Sequence, residues 1–486
     1  MAKKDRNVEV IDAYKLIING VVIDVSIYTE EEETAPIYSL SVLNISETTK
    51  LLLNKIRDEF VSKVSLSAKE AKEEEDVSKI QEAFKKEILV LIKKYFPSVD
   101  QKTSDLLVNY VIQQYIGLGN IEILLKDKDL EEIVINNAEE PVWVYHRKHG
   151  WLKTNITVDE EERIRHYATT IGREVGKEIT LLKPLMDAHL LTGHRVNATL
   201  SPISTKGNTI TIRKFAEKPW SITDLINNKT MPYEAAAWIW LAVQNELSMI
   251  ISGGTGSGKT STLNAIANFF PPNHRIISIE DTRELTLPKM LHWVPLETRL
   301  PNPEGKGEIT MLDLVVNSLR MRPDRIIMGE IRRKKEAEVL FEAMHTGHSV
   351  YATLHANNTE ETITRLTNPP IDVPKLMLGA VSMILVQNRN RRTGLRRTLQ
   401  ISEITEDGGA NVLMQFSIQK DALLKTKEPK RLYDTLNLYS GLNPAEIKKE
   451  LQEKQEILKY LVHKDINDVH EIGLLMAKYY RGKLRI

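Results

Sequence analysis

The sequence predicts two unlike parts: an α+β half with an antiparallel sheet, then an α/β domain built on a buried parallel sheet. Three observations carry this. After Pro232, short apolar runs at 249–252, 276–279, 325–328 and 349–354 alternate with helix-compatible segments, the pattern of strands covered on both faces. Before it, short strand-like segments are separated by turn residues, with helices between them. And the first buried run leads straight into a glycine-rich segment followed by a helix-compatible stretch.

Taken in order, residues 16–25 read as a hairpin with Asn19-Gly20 as its turn. Residues 69–76 are a charged stretch, read as a linker or a solvated helix start. A helix begins near Ser78, because Ile80, Ala83, Phe84, Ile88, Leu91, Ile92 and Tyr95 recur on one face, and Pro97 ends it. A second helix is expected over 104–114, strands at 132–135 and 142–145, a helix over 160–172, and strands at 196–200 and 209–212 on either side of Gly207-Asn208. Near the carboxyl end, Asn443, Pro444 and Glu446 form a helix start of capping-box type. The helix it opens, 443–463, carries Ile447, Leu451, Leu458, Leu461 and Val462 on its apolar face.

Composition narrows the function. The chain has 486 residues, with 66 Lys+Arg against 66 Asp+Glu and no cysteine. Its length corresponds to about three domains. Its 42% hydrophobic and 27% charged residues are those of a globular protein. Without cysteine there is no disulfide framework, thiol nucleophile or Cys-ligated metal site. The first residues are charged and no apolar core follows, so no secretory signal is expected. The longest apolar stretch, 376–386, contains Gly379 and Ser382 and falls short of the ~20 residues of a membrane span. Any membrane role is therefore expected to be peripheral or through a partner. A balanced charge removes the simplest argument for nucleic acid.

The sharpest motif is Gly253-Gly254-Thr255-Gly256-Ser257-Gly258-Lys259-Thr260-Ser261, whose first eight residues fit G-x-x-x-x-G-K-[ST]. Glycines let successive backbone N–H groups turn toward phosphate oxygens, and the following helix adds its positive end. Lys259 is expected to bridge the outer phosphates of ATP, and the Thr260 hydroxyl to hold Mg²⁺. Such a site needs carboxylates at neighbouring strand ends. Glu330 follows the run 325–328 and Glu280 ends the run 276–279. One is expected to orient Mg²⁺ and the other to polarise the attacking water; spacing leaves the assignment open. His345, His348 and His355 form a third cluster. His348 and His355 bracket one strand and so are not adjacent metal ligands; hydrogen bonding to phosphate, coupling of strand ends or a structural role all fit.

These motifs together resemble the traffic ATPases of type II and type IV secretion, type IV pilus assembly and the archaellum motor. The resemblance runs through 279–284, 327–332 and 346–357 in the family's order, with 193–198 and 209–215 similar to its amino-terminal arginine segments and 117–122 and 130–133 also similar. It covers roughly 78–405. It implies a PAS-like amino-terminal domain joined by a linker to a RecA-like ATPase domain, a hexameric ring in the cytoplasm at the inner face of the membrane, and an integral membrane platform protein as partner. It implies that Glu280 acts on water, that Glu330 supports Mg²⁺, and that Arg195 and Arg213 reach the phosphates. The expected division is an extension at 1–77, the PAS-like domain at 78–218, a linker at 219–232, the RecA-like domain at 233–405 and a helical region at 406–486. The missing cysteines exclude the four-cysteine zinc module of many bacterial members and point to the archaeal branch. The arginine-rich stretch 388–397 is read as ring contact, platform docking, a solvated strand edge or a nucleic-acid patch. The rival function is a nucleic-acid-translocating ring of conjugation or helicase type; no direct nucleic-acid contact is expected, since no basic-aromatic interleaving is seen.

Overall fold

The computed structural model describes residues 8–18, 21–41, 48–49, 51–53, 55–56, 59–60, 77–115, 118–190, 192–215, 218–301 and 305–484. Asn19-Gly20, the charged run 69–76 and Gly117 lie outside them. The chain divides into two units, 1–217 and 218–486.

In the first unit, strands β1 (Val8–Ile18), β2 (Val21–Glu30), β3 (Ile37–Ser41), β4 (Leu130–Ile135), β5 (Trp143–His146), β6 (Gly150–Thr154), β7 (Leu185–His189), β8 (Arg195–Thr199) and β9 (Thr209–Arg213) form one sheet. Its order is β1-β2-β3-β6-β5-β4-β9-β8-β7. Every pairing is antiparallel except β3 with β6. Ile133, Val144, Val196 and Ile212 alternate inward onto Ile164 and Ile171 of the helix Glu161–Glu174. The helices Val77–Tyr95 and Gln101–Tyr115 build a smaller cluster around Ile88, Leu91 and Val111.

Residues 8–41 were expected to belong to an extension of their own. Instead β1–β3 lengthen the same sheet, and Ile23, Val25, Ile27 and Tyr38 enter the same core as Leu130 and Leu152. Asp127 pins them: it is 1% exposed and accepts from the Tyr14 and Tyr38 hydroxyls at 2.6 Å each.

The second unit carries β10 (Met249–Gly253), β11 (Arg275–Glu280), β12 (His292–Glu297), β13 (Arg325–Met328), β14 (Ser349–Leu354), β15 (Met383–Arg389), β16 (Arg396–Ile404), β17 (Ala410–Ser417) and β18 (Ala422–Lys425). The order is β12-β11-β13-β14-β10-β15-β16-β17-β18. From β12 to β15 all pairings are parallel, and from β15 onward antiparallel. The wholly buried runs β10, β13 and β14 pack against helices on both faces, giving two apolar clusters.

Two expectations differ here. The stretch 219–232 holds a helix, Ile222–Asn227, started by a Ser221/Asp224 capping box and burying Ile222, Leu225 and Ile226. The region after 405 begins with β17 and β18 before its helices, because its alternating residues extend the sheet past β16. The helix Pro444–His463 has the expected Asn443 cap, with Glu446 closing the box, and its buried Lys454 lies over the Trp240 and Tyr479 rings.

Candidate nucleotide site

The site is built where the parallel strands end. β10 stops at Gly253, and the chain turns through Thr255, exposed at the tip, into the helix Lys259–Ala267. The sequence requires glycine at the turning points. A Cβ on Gly253 would collide with Ser257 Oγ and the Gln387 carbonyl. Gly258, at φ +95, starts the helix in the left-handed region that other residues avoid. Lys259 Nζ donates to the Gly253 and Gly254 carbonyls at 2.9 and 3.0 Å. The helix then presents Thr260 and Ser261 at its first turn.

Neighbouring strands bring the acids. Glu280 closes β11 and is 3% exposed; Oε1 accepts from the Glu284 and Leu285 amides at 2.9 and 3.1 Å. Burial pushes its carboxyl up to about 7, only partly opposed by those two amides. Gly329 packs on Glu280: a Cβ there would lie 3.4 Å from its Cα and Cγ. Glu330 follows on the loop after β13. Its Oε1 is 3.4 Å from His355 Nε2, and its Oε2 accepts from Arg332 Nε and Nη2 at 2.9 and 2.7 Å. Arg332 Nη1 donates to Asp281. His355, just past β14, also stands 3.5 Å from Lys259 Nζ through Nδ1, and burial followed by the Lys259 charge holds its pKa down. A polar chain thus runs Asp281–Arg332–Glu330–His355–Lys259 across the ends of β11, β13, β14 and β10.

The residues suit a nucleotide with Mg²⁺. Ser257 Oγ and Glu280 Oε2 are buried with no hydrogen-bond partner among the described residues, which marks a place for polar ligand atoms. Thr260 and Glu330 offer hard oxygen donors, and Mg²⁺ normally takes only one or two protein ligands beside phosphates and water. Among the described residues no group of three His, Asp or Glu is placed to hold a metal alone.

Comparison with known proteins decides the family. The model of the type II/IV secretion system protein family matches residues 118–406. The chain belongs to that family. It is 36% identical over 387 residues to an uncharacterized protein of Methanocaldococcus jannaschii, covering 77% of this chain and 70% of that one. It is 28% identical over 306 residues to the type IV secretion system protein PtlH of Bordetella pertussis, covering 56% of this chain and 89% of that one. Among solved structures, the Legionella pneumophila ATPase DotB aligns over 75% of this chain and 92% of its own, at 19% identity and a TM-score of 0.46.

Within this secretion-family chain the predicted site residues divide. The loop 253–261, Glu280, Glu330 and His355 converge at one edge of the second unit's sheet. His348 does not. It precedes β14, whose strand separates it from His355 by roughly 20 Å, and its ring hydrogen-bonds the Ala343 carbonyl at 3.2 Å and the Thr346 hydroxyl at 3.3 Å. A parallel strand places its two flanking residues at opposite ends, so His348 lies at the other end of β14 from His355. Arg195 and Arg213 are cross-strand neighbours in the first unit; Arg195 forms a forked pair with Asp187 at 2.6 and 3.1 Å.

Sequence reasoning passed over Asp281 and Arg332 as site residues, although both stand within two positions of a chosen glutamate. It also read 388–397 as one patch. The structure splits it. Arg389 and Arg396 pair across β15 and β16. Arg396 Nε donates to the Gly256 carbonyl at 3.0 Å, and a Cβ on Gly256 would come within 3.1 Å of Arg389. Arg397 forks onto Asp421 at 2.9 and 3.0 Å. Arg391 and Arg392 lie exposed at the turn.

Proposed function

We propose that this protein is a Mg²⁺-dependent ATPase that drives assembly or secretion of a type IV pilus-like filament through an integral membrane platform protein. The observation that carries the reading is the meeting of Lys259, Glu280 and Glu330 at one sheet edge of a secretion-family chain. Lys259 and the loop amides bind the phosphates, Thr260 and Glu330 hold the metal, and Glu280 orients and deprotonates water. The metal's contribution when bound is to neutralise charge on the outer phosphates. His355 couples Glu330 to Lys259. Arg195 and Arg213 supply cationic charge to the phosphates in the working assembly, a ring of six copies with PAS-like and RecA-like domains. The motor works in the cytoplasm at the inner face of the membrane; among the described residues no helix is long and apolar enough to cross it.

The test is phosphate release with purified protein. Wild type should hydrolyse ATP only with Mg²⁺, and Arg213→Ala should bind nucleotide yet turn over slowly. Metal-independent or absent hydrolysis sinks the reading. Binding to single strands that falls steeply between two salt concentrations would instead favour a nucleic-acid ring. Against that rival stands the division of 388–397: Arg396 and Arg397 are engaged within the fold, so the stretch is not one continuous basic surface.

A further inference from the structure

We propose that Arg332 is a latch that competes with the divalent metal for Glu330. The inference rests on the nucleotide site proposed above and extends it to how that site admits its metal.

One guanidinium spans two acids from different strands. Nε and Nη2 share Glu330 Oε2, and Nη1 reaches Asp281 Oδ2 beyond the end of β11. The fork is anchored from behind. Glu336, 7% exposed, accepts from the Arg332 and Arg333 amides at 3.4 and 3.2 Å. The backbone is thus held, while the side chain is 56% exposed and is tied, among the described residues, only through its two acids. Glu330's other oxygen faces His355. Oε2 of the acid best placed to serve the metal is therefore committed to the guanidinium, while Oε1 has, among the described residues, only the His355 ring nearby.

A hard cation that engages Oε2 of Glu330 must displace Arg332 from it, since one carboxylate oxygen does not serve a guanidinium fork and a dehydrated Mg²⁺ contact equally well. The pair is open to solvent on the Arg332 side, at 56% against 20% for Glu330, so water can take the guanidinium's place. Asp281 gives the guanidinium a second anchor, so release from Glu330 does not leave it unpaired. The consequence is ordering. Free metal gains too little from Glu330 alone to open the latch, whereas a metal carried by nucleotide phosphates brings its own ligands. The loop therefore takes metal and nucleotide together.

The experiment titrates Mn²⁺ by electron paramagnetic resonance, with and without ADP, in wild type, Arg332→Gln and Arg332→Lys. Fluorescent ADP binding in EDTA serves as a separate reading of the nucleotide site. With ADP present, Arg332→Gln should lower the half-saturating Mn²⁺ about tenfold, the equivalent of one modest charge pair, and should show Mn²⁺ binding without nucleotide where wild type shows none. Arg332→Lys, which keeps the charge but loses the fork, should fall between. Unchanged or weaker Mn²⁺ binding in Arg332→Gln, with ADP still bound in EDTA, overturns the latch and leaves the nucleotide site standing. No ADP binding by wild type under any condition overturns the site itself.

Discussion

The two edges of the second unit's sheet handle an arginine in opposite ways. At the amino end of β13, Arg325 is fully buried. Its guanidinium donates to His274 Nδ1 at 3.1 Å, the Val243 carbonyl at 2.8 Å and the Tyr351 hydroxyl, and lies 4.9 Å from the Phe270 ring centre. Its direct partners are neutral, and burial, then the Arg325 charge, holds the His274 pKa down. Four residues of strand and one short loop later, Arg332 is exposed and paired with two acids. A buried cation held on all three of its nitrogens by fixed neutral groups has no cheaper alternative and stays put. A solvated cation shared between carboxylates has water, metal and phosphate as competitors. The same side chain is a rivet at one edge and an exchangeable part at the other, where the proposed nucleotide site lies.

The largest expected effect breaks the chemical edge. Lys259→Ala should abolish detectable ATP turnover and weaken nucleotide binding by about 100-fold or more, since it removes a charge-assisted contact to phosphate; melting should hardly move. Near-normal turnover in that variant would falsify the site. Glu280→Gln should lower turnover by about 10²–10⁴, the usual worth of a positioned base, with nucleotide affinity retained.

Arg325→Met tests the opposite edge. It leaves acceptors on Tyr351 and Val243 unmet in a packed interior, for which about 3 kcal/mol is expected, or about 10 °C in melting temperature for a unit of this size. Turnover per folded molecule should be within a few-fold of wild type. A variant that melts normally but fails to hydrolyse ATP would erase the distinction between the edges.

Acidity gives a finer probe. Glu280 must be ionised to take a proton, and its carboxyl is raised to about 7 by burial. Turnover should therefore climb between about pH 6 and 8 and level off above. Stability runs the other way. A raised carboxyl contributes stability that is complete below the ordinary carboxylate range and is lost as pH rises through about 7. Glu280→Gln should thus melt above wild type at pH 8 but not at pH 4. A flat pH profile would remove Glu280 as the base. The smallest effect belongs to His348→Ala, expected within about twofold of wild type in turnover because its hydrogen bonds are local; His355→Ala, between Glu330 and Lys259, should cost more. Equal losses in the two variants would contradict the placement of the histidines at opposite edges.

Much of this was readable beforehand because it rests on local rules. Gly253 to Thr260 can only make its turn with those glycines. The mainly apolar runs at 249–252 and 325–328 read as buried parallel strands, and Asn443-Pro444 with Glu446 announces a helix start. The misreadings share another cause. Residues 8–41 looked separable because nothing nearby in the chain says that β3 will lie beside β6, some hundred residues away in a pairing of two residues, Ile37 with Lys153 and Tyr38 with Thr154. The arginines of 388–397 looked alike because one-dimensional spacing does not tell which of them β15 and β16 lay against Gly256.

By itself, then, the sequence determined the α/β class, the glycine-rich turn after β10 and the types of acid and base available, since each follows from composition, periodicity or the steric needs of a few consecutive residues. Only the tertiary structure decided which groups meet: that Arg332 bridges Glu330 and Asp281, that His355 but not His348 stands by Lys259, and that Glu280 is buried enough to hold its proton near neutral pH. Those facts depend on strand order and on the exclusion of water, and both are properties of the packed sheet rather than of any stretch of chain.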